Sequence, residues 1–145
     1  MSKITAYYYL TESGKSPVKE FIDSLDFKTQ RKFFFVKELL EEFGHRLPFP
    51  HAKYIGNSIF ELRFKGHEGA VRVLYFFYHE DRVIFTNGFI KKVNKTPKNE
   101  INIAIERMAN CLNRQKGDDE NEASKSSRTF KREAERPLFQ RVIRA

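Results

Sequence analysis

The chain has 145 residues, 40% of them hydrophobic and fifteen of them phenylalanine, which suffices for one domain with a core and is too short for several. Its formal net charge of +8 favours an anionic partner, while the single cysteine, Cys111, excludes an internal disulfide or a cysteine zinc cluster. No apolar run is long enough to cross a bilayer and the N-terminus lacks the apolar run of a signal peptide, so the expectation is a cytoplasmic protein with no membrane partner.

Ile4 to Leu10 is short and rich in tyrosine, which predicts a strand that completes a sheet before the Ser13-Gly14 turn. Ser16 and Pro17 then supply an N-cap and a first-turn proline, and Val18, Phe21, Ile22 and Leu25 recur at helical spacing. Asp26 can cap a second helix from about Phe27 to Phe43, with Phe33, Val36, Leu40 and Phe43 on one side and Gly44 placed to end it. The two helices should form a hairpin on the sheet. From His45 to Asn57 the chain reads as an irregular loop bordering the site, since Pro48 and Pro50 bar helix there.

Three strands follow, Ile59 to Phe64, Ala70 to Tyr78 and Arg82 to Phe89, each rich in aromatic and β-branched residues and separated by turn signals, which predicts an antiparallel meander. In the first, Phe60, Leu62 and Phe64 share one face and Glu61 and Arg63 the other, so the charged face is expected outside the core. Residues 88 to 98 hold four lysines and no acid, a concentration of positive potential suited to phosphate. Thr96 and Pro97 open a third helix carried by Ile101, Ala104, Ile105, Met108 and Leu112. The fold class is thus α+β, with two N-terminal helices and a C-terminal helix on a small antiparallel sheet. The domain is read as residues 1–114. Residues 115–145 read as a polar, disordered tail: 115 to 128 lack any apolar period, and Phe130, Ala134, Leu138, Val142 and Ile143 could line one side of a short helix broken near Pro137.

Arg72 is the residue most in need of a partner, because a lone arginine in the apolar run Val71 to Phe77 must reach water, a carboxylate or a bound anion. Glu61 on the neighbouring strand is one candidate, and Glu61 itself reads either as an ion-pair partner of an arginine or as a general base. The tyrosines and phenylalanines of residues 75–78 read as core, whereas Phe89, beside the basic loop, reads as a base-stacking candidate. The four histidines fall in loops and turns without the spacing of a zinc motif, so no metal is expected.

The phrases Ile59-Phe60-Glu61-Leu62-Arg63, Arg72-Val73-Leu74-Tyr75 and Gly88-Phe89-Ile90-Lys91-Lys92, followed by Lys95-Thr96-Pro97 and Glu100-Ile101, resemble the HigB-type, phage-derived branch of the RelE/ParE toxin superfamily. The resemblance covers about Met1 to Asn113. It implies a RelE-like fold and the toxin of a type II toxin–antitoxin system, an endoribonuclease that cuts mRNA on the ribosome without metal or other cofactor, with a cognate antitoxin protein as partner. It places Arg72 at the scissile phosphate, with Arg63 and Lys91 or Lys92 among the basic residues around it; Arg72, Arg63 and Lys91 are taken as the catalytic set, and Lys53, Phe89, Lys92 and Lys95 as the RNA-binding candidates. His51 and His67 join Glu61 as candidates for acid or base. Two other readings use the same residues: a ParE-like gyrase poison without nuclease activity, and a non-catalytic nucleic-acid-binding regulator.

Overall fold

The computed structural model describes residues 4–123 and 142–145, with side chains over 4–113 and 142–145. The described residues are α+β, with three helices and one six-stranded mixed sheet. Strand β1 (Thr5–Tyr9) leads to α1 (Pro17–Asp23) and α2 (Phe27–Phe43), and a 3-10 turn, Gly44–Arg46, closes this half. Then come β2 (Ala52–Gly56), β3 (Ile59–Gly66), β4 (Gly69–Tyr78) and β5 (Arg82–Lys91), helix α3 (Lys98–Ala123) and β6 (Val142–Arg144). In space the strands run β2, β3, β4, β5, β1, β6.

Helix α2 starts where the sequence caps it, with the Asp26 carboxylate accepting from Lys28 N at 3.0 Å, and it ends at Gly44 with φ +56°. It buries Phe33, Val36 and Leu40 against the sheet together with Val18 and Ile22 of α1. Helix α3 covers the opposite face, where Ala104 and Cys111 join Ile59, Leu74, Phe76 and Ile84. Asn87 fixes that helix in place: its side-chain N–H donates to Glu100 O at 3.1 Å and to Glu100 Oε1 at 2.9 Å. On the other side α1 lies so close to β5 that a methyl group at Gly88 would come within 2.6 Å of Phe21 Cδ2. The sheet is therefore covered on both faces.

The meander of β3, β4 and β5 is antiparallel, as its patterning predicts, but the whole sheet is not. Strand β1 pairs with β5 in parallel, from Thr5 opposite Arg82 to Tyr8 opposite Phe85. The intervening helices carry the chain back to the same end of the sheet, which a two-residue turn cannot do. Part of the expected loop is likewise strand: Ala52 to Gly56 pairs with β3, and only the stretch around Pro48 and Pro50 stays irregular. The prolines bar ladder bonding at their own positions and not two residues later.

Two further expectations are corrected at the end of the chain. Helix α3 continues to Ala123, through residues read as linker. Val142 and Ile143, read as one side of a broken helix, form strand β6 instead, antiparallel to β1, with Val142 2% exposed and the Ala145 N–H donating to Ala6 O at 2.8 Å. Two adjacent β-branched residues suit an open strand edge better than a helix. The remainder of that helix, including Phe130, Ala134 and Leu138, lies outside the described residues.

Removing residues 142–145 should lower stability by about 2 to 4 kcal/mol, from one buried valine and several edge hydrogen bonds. Urea denaturation of the full chain and of a chain ending at residue 141 measures it, and equal midpoints would show that β6 adds nothing.

Candidate functional site

Four neighbouring strands bring cations to one end of the face that α3 covers. Alternation along β3 puts Glu61 and Arg63 there, and pairing aligns Arg63 with Arg72 of β4 and Glu61 with Lys53 of β2. Strand β5 would by simple alternation turn Lys91 to the other face, with Val83 and Phe85. A bulge prevents this: Leu74 pairs with Asn87 and Tyr75 with Phe85, so Thr86 is the extra residue. Beyond it the odd-numbered residues of β5 change sides. Phe89 then lies opposite Arg72 and Lys91 opposite Ala70, on the arginine face.

At the centre is Glu61, 0% exposed. Its Oε1 accepts from Arg63 Nη1 at 2.8 Å and lies 3.7 Å from Arg72 Nε, while its Oε2 accepts from the Thr96 hydroxyl. The charged face of β3 is thus partly core, contrary to expectation, because the arginines and Thr96 replace the water that a carboxylate would otherwise need. Arg72 is itself only 8% exposed and donates from Nη1 to Val71 O at 3.0 Å. The Nε groups of Arg63 and Arg72 are buried without a hydrogen-bond acceptor among the described residues.

The electrostatics follow from this crowding. Burial, then the charge of Arg63, lower the Arg72 pKa from the ordinary arginine value, and Glu61 opposes both. Burial also lowers Lys91; Glu61 acts against it, and the charges of Arg72, Arg63 and Lys53 add to it. One carboxylate thus stands among Lys53, Arg63, Arg72 and Lys91. The cluster therefore carries a positive excess, which an anion would relieve.

Beside the arginines opens a cavity of about 550 Å³, walled by Phe35 and Val36 of α2 and by Pro50 and His51, with Arg63, Phe64 and Arg72 lining the sheet side. The guanidinium of Arg63 also lies 4.9 Å from the centre of the Phe49 ring.

Residues 20–109 match the model of the family described as phage derived protein Gp49-like (DUF891). The chain belongs to that family. It is a family of RelE/HigB-like toxins of toxin–antitoxin systems. No curated protein matches this Gp49-like chain with significance.

Of the residues singled out in the sequence, Arg63, Arg72, Lys91, Lys53 and Glu61 come together in this Gp49-like chain, and His51 lines the adjoining cavity. Lys92 and Lys95 are exposed on the loop after β5. His67 stands apart at the turn between β3 and β4, where its N–H donates to Thr29 Oγ1 at 3.2 Å. Phe89, read as a stacking residue, is buried at 9% exposure in the core beneath α3, because the bulge turns it inward. Three residues of the site carried no assigned role in the sequence. Thr96 sits within a quoted motif, but its partner is 35 residues away. Phe35 and Phe49 are 60% and 65% exposed, and Phe35 had a legible signal: three consecutive phenylalanines on a helix cannot all face one core.

No group of three or more His, Cys, Asp or Glu able to hold a metal ion occurs among the described residues, and no helix there is long and apolar enough to cross a membrane.

Replacing Glu61 with alanine should destabilise the protein by about 3 to 5 kcal/mol, because it leaves the buried Arg72 and the partly buried Arg63 without their carboxylate. Lys92→Ala, on the exposed loop, should stay within about 0.5 kcal/mol of the parent. Paired urea melts check both, and equal losses would deny Glu61 its central place.

Proposed function

We propose that this Gp49-like protein is the toxin of a type II toxin–antitoxin system, a ribosome-dependent endoribonuclease that cuts mRNA and so inhibits translation. The observation that carries the reading is the surplus of cations around Glu61, with Arg63 and Arg72 lining an open cavity. Family membership supports it. Within this reading residues 1–114 are the toxin domain, in a RelE-like arrangement of two helices on one sheet face and one on the other.

In the proposed reaction the 2′-oxygen of one nucleotide attacks its own 3′-phosphorus, the bond from phosphorus to the next 5′-oxygen breaks, and a 2′,3′-cyclic phosphate and a 5′-hydroxyl result. Charge accumulates on the phosphate oxygens, where Arg63, Arg72 and Lys91 stabilise it without reorganising. The guanidinium groups offer directional hydrogen bonds from the N–H groups that Glu61 and Val71 O leave over, and the ammonium acts as a point charge. Glu61 has both oxygens engaged and no exposure, so it positions the arginines rather than taking the 2′-proton. His51 borders the same cavity, and imidazole is the usual proton-transfer group near neutral pH; it is the candidate for that step. No cofactor enters the proposed chemistry. The cognate antitoxin would inhibit by covering the same basic face.

Cell-free translation with and without the protein, followed by mapping of mRNA ends, tests the reading. Codon-linked new 5′-hydroxyl ends are expected, and translation arrest without new ends would refute the nuclease. Lys91→Gln should slow cutting on the order of 100-fold with an unchanged thermal melt. Arg72→Ala should slow it at least as much and also lower the melting temperature, because Arg72 is a partner of the buried Glu61.

A further inference from the structure

We propose that the cavity between α2 and the ends of β3 and β4 is a subsite for one unpaired nucleobase next to the phosphate held by Arg63 and Arg72. The proposal rests on the nuclease reading and adds the part of the substrate that the cations cannot recognise. The cavity, about 550 Å³, falls within the range of roughly 300 to 1,000 Å³ typical of small-ligand sites.

Its wall contains a ring that the fold does not need. Phe33, Val36 and Leu40 already supply the buried side of α2, yet Phe35 is left 60% exposed at the cavity. Phe49 is 65% exposed, and its ring carries on one face Arg63, which lines the cavity. Exposed aromatic rings beside a cationic end match a nucleotide, whose base offers a π face and whose phosphate offers the charge. A free phosphate would leave the rings unused, and an apolar ligand would leave the positive excess unmatched. Bases within a duplex are stacked and paired and cannot enter, so the partner is single-stranded.

The neighbouring surface continues the pattern. Lys32 lines this cavity and also a second one of about 470 Å³, where Phe27 is 71% exposed. A strand leaving the first subsite thus meets another cation and another ring along α2.

Equilibrium binding of the full chain to a fluorescein-labelled single strand of about ten nucleotides tests this. The strand is 2′-fluoro RNA, which lacks the attacking hydroxyl. Replacing one base by an abasic sugar, at each position in turn, should reveal one position where affinity falls about tenfold. Phe35→Ala should weaken the intact strand by a similar factor and remove the sensitivity to that abasic position, and Phe35→Trp should restore both. Because Phe35 is mostly exposed, the variants should keep the parent melting curve. Salt-sensitive binding that Phe35→Ala leaves unchanged, with no sensitive abasic position, would overturn the subsite alone. Absence of RNA binding at any salt would overturn the nuclease reading with it. A Phe35→Ala protein that binds RNA normally but escapes neutralisation by its antitoxin would assign this surface to a protein partner and overturn the subsite.

Discussion

The buried carboxylate of Glu61 is the constraint around which the functional end of the molecule is built. A charge with no exposure must be matched by donors, and here these come from β3 itself, from β4 and from the segment that opens α3. The same carboxylate also sets the positions of two arginines that would repel each other if left alone. Arg63 and Arg72 face one another across paired strands, an arrangement that like charges disfavour unless an acid lies between them. A single acid among several cations serves both needs: it allows the arginines to approach, and it leaves a positive excess for an anion.

The two faces of the sheet divide the work. The face under α1 and α2 is an aromatic core, in which Phe33 packs against Phe64 and Phe85 at centroid distances of 5.9 and 5.5 Å. The face under α3 is apolar only along part of its length, from Tyr78 and Ile84 to Leu74 and Phe89, and becomes charged at Arg72. Helix α3 crosses the apolar part, so the charged end lies near its first turn and the lysine loop. Rigid strands therefore hold Arg63, Arg72 and Lys91, while the more exposed Lys92 and Lys95 ride on a loop. This separation suits a site in which a few groups meet the reacting phosphate and others gather the rest of the strand.

Burial changes how the arginines should be understood. Arg72 serves the fold as well as the proposed chemistry, so loss of function on its removal is not by itself evidence of contact with substrate. Lys91 is partly exposed and stands apart from the ion pairs that Glu61 makes with Arg63 and Arg72, so it separates the two roles more cleanly.

Local physics was enough to read much of this protein from its sequence. The proline and aspartate caps and the apolar spacing of residues 18–25 and 33–43 marked α1 and α2, and aromatic, β-branched runs between turn residues marked the meander. Strict alternation put Glu61 and Arg63 together, and the motifs between Ile59 and Ile101 pointed to a phage-derived family, though the family match does not reach the HigB type within it. Nonlocal geometry decided the rest. The parallel pairing of β1 with β5 depends on where two helices deliver the chain, and β6 depends on an edge that exists only once β1 is in place. The bulge at Thr86 reverses the facing of Phe89 and Lys91, since a one-residue slip exchanges the two sides of a strand. The contact of Thr96 with Glu61 joins residues far apart in sequence, and the exposure of Phe35 and Phe49 depends on what the core leaves uncovered. Residue type and spacing report what a side chain can do, but its neighbours are set by chain closure over long separations.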